Sequence, residues 1–136
     1  MLSTVLRHAG GVRVDHILGL FRLYWIPRMA SPLTGTYVSY DFEAMVGILA
    51  LEAQRAGAVV IGEDLGTVEP WVQDVLAQKA VLGTSIVWFE HDDDDYSPLP
   101  QEKYRQLALS SVNTHDLPPT LAYLRGDHIS LRARLG

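Results

Sequence analysis

Apolar positions along the chain keep two rhythms. Over residues 40–57, Phe42, Met45, Val46, Leu49 and Ala53 recur at helical spacing and form one stripe. Asp41 stands where an N-cap is wanted and Gly57 where a helix stops. A second helical stripe, Val72, Val75, Leu76 and Ala80, follows Glu69-Pro70, with the proline at a first-turn position where its missing N–H costs little. Between the helices, residues 58–61 are apolar throughout, as strands buried on both faces tend to be. Residues 12–14 alternate, with Val12 and Val14 on one face and Arg13 sharing the other with Asp15. Residues 84–89 and 109–113 read as two more strands, residues 101–107 as a short helix, and residues 121–136 as a helical tail.

The order is β, α, β, α, β, α, β, α, which predicts an α/β fold with parallel strands and helical crossovers. No residue-level repeat, low-complexity linker or domain boundary interrupts it. The chain has 136 residues, a length that suits one domain. The longest apolar region, residues 45–62, contains Glu52 and Arg55 and cannot span a bilayer. The N-terminus lacks the charged start, apolar block and cleavage site of an export signal. A net charge of −5 without clustered Lys and Arg argues against nucleic acid. There are no cysteines, so disulfides and thiolate metal sites are excluded. The expectation is a soluble, cytoplasmic protein that contacts neither membrane nor nucleic acid.

Three acids recur at one structural position, just beyond a strand. Asp15 follows Val-Arg-Val, Glu63 follows Val-Val-Ile-Gly, and Asp116 follows Asn-Thr-His. In a (β/α) barrel, the C-terminal strand ends build the active site. Three strands would bring three carboxylates to one pocket, the set that glycoside chemistry needs. Singly, each acid is equally well read as a helix cap or a turn residue. Arg13, on the strand face of Asp15, favours the ionised form that a nucleophile requires. The plain alternative is a structural salt bridge. Glu63 follows apolar residues and a glycine, a setting suited to an acid that holds a proton for a leaving oxygen. Asp64, its neighbour, points the other way on a strand and caps or pairs elsewhere.

Other features carry less. Phe21, Tyr24 and Trp25 are either sugar-stacking rings or core, core being the commoner use, and Gly35-Thr36-Tyr37 is a cleft loop or a turn. The acidic run 90–95 lacks the alternating ligands and glycine of a calcium loop and reads as solvated. His8 and His128 have no partner at metal-ligand spacing.

Three segments together carry a resemblance: VRVDHILGLFRLYWIP (residues 12–27), IGEDLGTVEPWV (61–72) and SVNTHDLPPT (111–120). In order and separation they resemble the catalytic segments of the 4-alpha-glucanotransferases, or amylomaltases, of glycoside hydrolase family 77. The resemblance implies a barrel in which Asp15 is the nucleophile, Glu63 the acid/base, and Asp116 the residue that holds the sugar in a distorted form. It implies that Arg13 orients Asp15, and that His16 and His115 hydrogen-bond the sugar. The substrates would be maltooligosaccharides and α-1,4-glucans, and no metal or organic cofactor is implied. The chain departs from the commoner pattern after His115-Asp116, where Leu117-Pro118-Pro119 stands in place of an asparagine.

A whole barrel has eight strands and about 250 residues. The four strands read here match its second half, so the chain is expected to be a partial catalytic barrel, residues 1–136, truncated at both ends. Unpaired strand edges would invite self-association, with little activity in isolation. The alternatives are an α-glucan hydrolase of related chemistry, a metal-dependent barrel hydrolase, and an inactive glucan-binding fragment.

Overall fold

The computed structural model describes residues 1–92 and 94–136. Asp93, part of the acidic run, lies outside the described residues. The chain divides into two compact units. The first holds Met1–Thr84 with Leu107–Leu109, the second Ser85–Gln106 with Ser110–Gly136.

In the first unit, α1 (Leu2–Leu6) precedes β1 (Gly11–Val14). A hairpin of β2 (Arg22–Trp25) and β3 (Thr36–Ser39) follows, then α2 (Phe42–Ala56), β4 (Val59–Gly62) and α3 (Pro70–Gln78). β1 and β4 pair in parallel, Gly11 opposite Val59 through Val14 opposite Gly62. α2 between them is the helical crossover that the alternation predicted. A parallel bridge between Ile61 and Leu82 continues the sheet on the far side of β4. β5 (Gly83–Ile86) pairs with β6 (Ala108–Ser111).

α2 forms for the reasons read from its sequence. The Asp41 carboxylate accepts the Ala44 N–H at 3.1 Å, and Gly57 closes the helix at φ 61°. Its buried face is Val46, Leu49 and Ala53, packed with Ile17, Phe21, Val60, Val72 and Leu76 into one core. Ile17, Val46 and Leu76 are wholly buried, each worth about 1.5–3 kcal/mol relative to exposure.

Several elements differ from the sequence reading. The apolar stretch after Asp15 holds a hairpin, with Arg22 to Trp25 antiparallel to Ser39 to Thr36. Phe21 is core, whereas Tyr24 and Trp25 are exposed. α3 stops at Gln78, and Ala80 turns left-handed at φ 54°, outside the stripe. β5 stops at Ile86 and gives way to a single 3-10 turn, Val87–Phe89. There Val87 and Phe89 are exposed, so apolar content is not a sign of burial at this point. Residues 101–107 hold only the turn Gln101–Lys103, after which Tyr104 is extended. In the second unit the tail is two helices, α4 (Thr120–Leu124) and α5 (Asp127–Leu135), broken at Gly126 with φ 74°. Among the described residues, no helix is long and apolar enough to cross a membrane.

Candidate active site

β1 and β4 end side by side, because Val14 is opposite Gly62 in a parallel register. Their next residues are Asp15 and Glu63. The Glu63 N–H adds one more rung, to Val14 O at 2.9 Å. The chain then turns sharply at His16, in the left-handed region at φ 49°, ψ 52°. That conformation costs a non-glycine residue roughly 1–3 kcal/mol. The surroundings hold it there: the Ile17 N–H donates to Glu63 O at 3.0 Å, and the Ile17 side chain lies wholly buried against Gly62.

The two carboxylates are held differently. Asp15 is half-exposed, with its Oδ1 2.6 Å from Arg13 Nη1. The guanidinium donates to the carboxylate at that distance and orients it. Glu63 is buried, and each of its oxygens accepts a backbone N–H, Oε1 from Leu65 and Oε2 from His16, both at 2.8 Å. The apolar approach buries the acid as the sequence implied, and two amides aimed at it fix its orientation. The exposed His16 ring stands between the acids, Nδ1 3.4 Å from Glu63 Oε2 and Nε2 3.4 Å from Asp15 Oδ2. Arg13, Asp15, His16 and Glu63 are therefore brought together in the first unit.

His115 and Asp116 lie in the second unit, both exposed, with His115 Nε2 3.3 Å from Asp116 Oδ1. Their turn is built by short-range bonds. The Asp116 N–H donates to Thr114 Oγ1 at 3.2 Å, the Thr114 N–H to Asn113 Oδ1 at 2.8 Å, and Asn113 Nδ2 to Pro118 O at 2.7 Å. The Leu117-Pro118-Pro119 segment is thus tied back to the end of the strand before it.

Three residues beside the acids escaped the sequence reading. Gly62 is required by contact: a Cβ there would meet Ile17 carbons at 3.0–3.2 Å. A glycine inside an apolar strand is the signal that could have found it. Thr84 is buried at the start of β5, its N–H donating to Asp64 Oδ1 at 2.9 Å and its hydroxyl to Gly62 O at 3.1 Å. Leu65 contributes only its amide, which no sequence pattern reveals. Asp64 pairs away from Glu63, as strand alternation implied. Among the described residues, no three His, Asp or Glu side chains gather in a way that could hold a metal ion.

A model of the 4-alpha-glucanotransferases, glycoside hydrolase family 77, matches residues 1–135. The chain belongs to this family. It is 63% identical over 139 aligned residues to a 4-alpha-glucanotransferase of Mycobacterium bovis, covering 100% of this chain and 19% of that one. The crystal structure of an amylomaltase from Corynebacterium glutamicum superimposes with a TM-score of 0.90 at 68% identity, over 99% of this chain and 19% of that one. An amylomaltase from Streptococcus agalactiae, solved with acarbose, shares the fold at a TM-score of 0.65 and 18% identity, over 85% of this chain and 23% of that one. The family member described here thus spans 19% of the length of the curated relative. Its mixed α/β architecture, with a parallel strand pair joined by a helix, corresponds to part of an amylomaltase.

Proposed function

We propose that this chain carries the reacting carboxylates of a 4-alpha-glucanotransferase, on part of a (β/α) barrel, and acts on maltooligosaccharides and α-1,4-glucans. The observation that carries the reading is the meeting of Asp15 and Glu63 at neighbouring parallel strand ends, one beside a guanidinium and the other held by two amides.

In the first step an Asp15 oxygen attacks C1 of a glucosyl residue. The C1–O4 bond breaks, and Glu63 gives its proton to the departing oxygen. A glucosyl ester on Asp15 results. In the second step the 4-hydroxyl of an acceptor sugar attacks C1, Glu63 takes its proton, and Asp15 leaves as the carboxylate. Two inversions give net retention. Arg13 orients Asp15, His16 and His115 hydrogen-bond the sugar, and Asp116 holds it distorted. The chemistry needs no metal or organic cofactor. The setting is the cytoplasm, which the cysteine-free sequence fits.

Maltotriose supplied to the natural polypeptide that carries this sequence is expected to yield glucose plus longer maltooligosaccharides. Asp15→Asn and Glu63→Gln should each lower that rate by roughly 10²–10⁴-fold or more. Wild-type rates in the Asp15→Asn variant would remove the assignment. Glucose without longer products would favour the hydrolase, since water and sugar compete for the same ester.

A further inference from the structure

In the parallel ladder between β4 and the segment entering β5, the Leu82 N–H donates to Val60 O at 2.9 Å and the Gly62 N–H to Leu82 O at 2.7 Å. The same alternation would next send the Thr84 N–H to Gly62 O. That rung is replaced. The Thr84 N–H goes to Asp64 Oδ1 at 2.9 Å, and Gly62 O takes the Thr84 hydroxyl at 3.1 Å. One residue of the neighbouring strand thus grips the residue before Glu63 and the residue after it. All three gripping groups are buried: Asp64 is 4% exposed, Thr84 7% and Gly62 also lies in the interior. A buried carboxylate is costly and persists where hydrogen bonds compensate it. The swap ends the regular ladder between β4 and β5 at Gly62, one residue before Glu63, whose carboxylate accepts the His16 and Leu65 amides.

We propose that Thr84 and Asp64 are positioning residues that act through Glu63, a two-point clamp on the Gly62 carbonyl and the Asp64 carboxylate, either side of the acid/base. The proposal rests on the reading of Glu63 given above. Neither residue touches the sugar. Their effect is confined to steps in which Glu63 moves a proton.

Two donors separate this role from general damage. A maltooligosaccharide needs a proton on its leaving oxygen, whereas α-glucosyl fluoride releases fluoride without one. In the natural polypeptide, Thr84→Val removes the hydroxyl at nearly constant shape. It should lower kcat/KM for maltotriose roughly 10- to 100-fold, and that for α-glucosyl fluoride by about threefold or less. Thr84→Ser, which keeps the hydroxyl, should restore the maltotriose value. Asp64→Ala should give the same split, and serves if the valine variant folds poorly. Equal losses on both donors would overturn the clamp. Should Glu63→Gln itself lose both donors equally, the acid/base reading fails instead. Hydrogen exchange then still decides the clamp without turnover. The His16 and Leu65 amides should exchange about tenfold faster or more in Thr84→Val, while that of Val46 in α2 is unmoved. Unchanged exchange at those two amides would overturn it as well.

Discussion

Gly62 shows how one missing side chain sets the site. Ile17 follows the left-handed turn at His16 and fills the space above Gly62, so the turn and the strand end share one contact. A methyl group at residue 62 would sit 3.0 Å from Ile17 Cγ1. Ile17 is 0% exposed, so it has nowhere to retreat. Gly62→Ala is therefore expected to destabilise the chain by about 1–3 kcal/mol, the range for overpacking a close-fitted core. A denaturant titration measures it, and a variant as stable as the parent would mean that Ile17 yields freely. The places of Asp15 and Glu63 at strand ends are legible in the sequence because an acid straight after a short strand is conspicuous. Their holders were not. The Thr84 contact to Asp64 spans twenty residues and the His16 amide contact to Glu63 spans forty-seven, and a backbone amide leaves no mark on composition.

At the scale of elements, legibility follows how many turns a pattern has in which to repeat. α2 runs fifteen residues with a cap at each end, and its bounds follow from the sequence almost to the residue. α1 has five residues, and the strands of the hairpin four each, too few for a period to stand out. The hairpin also lacks a tight turn signal. Its connection runs through a 3-10 turn, Pro32–Thr34, and Gly35 lies so close to Tyr24 that a Cβ would meet the ring at 2.5 Å. The acidic loop, by contrast, is organised by its own carboxylates. Asp92 accepts the Asp94 N–H and pairs with Lys103 Nζ at 3.2 Å, and Asp95 accepts the Ser97 N–H at 2.8 Å. The Asp94 amide, then Lys103, hold the Asp92 carboxyl below its ordinary value, and Ser97 does the same for Asp95. A folded pKa below the unfolded one means that the contribution is present above the unfolded carboxylate value, about 3.9. It is lost as pH falls through the depressed folded value. The loop should therefore hold its order at neutral pH and loosen only below about pH 4. Amide exchange at Asp94 and Ser97 between pH 6 and pH 2 reads this, corrected for the intrinsic pH dependence of exchange. Loosening already complete at pH 5 would contradict it.

For the whole molecule, the alternation of strands and helices gave the parallel pairing of β1 with β4 through α2 and the step onward from Ile61 to Leu82. What alternation cannot give is what lies on the far side of an edge. Among the described residues β1 pairs only with β4, so its other edge offers unpaired N–H and C=O groups. Edges of this kind template pairing with another chain unless charge, proline or a covering element blunts them. Arg13 supplies one charge in β1, but its guanidinium is engaged by Asp15. No proline interrupts Gly11–Val14. Elsewhere on the first unit, Ile48 and Leu51 of α2 are 55% and 44% exposed, apolar surface that water disfavours. A net charge of −5 opposes association, and salt screens that repulsion while leaving hydrogen-bonded edges and apolar contacts intact. The 136-residue chain on its own is therefore expected to self-associate on the order of micromolar to millimolar concentration, more strongly as salt is raised. Sedimentation velocity across a dilution series, at low and at high ionic strength, distinguishes this from the alternative. A single monomeric boundary at every concentration and salt would show that the β1 edge is protected by the chain itself.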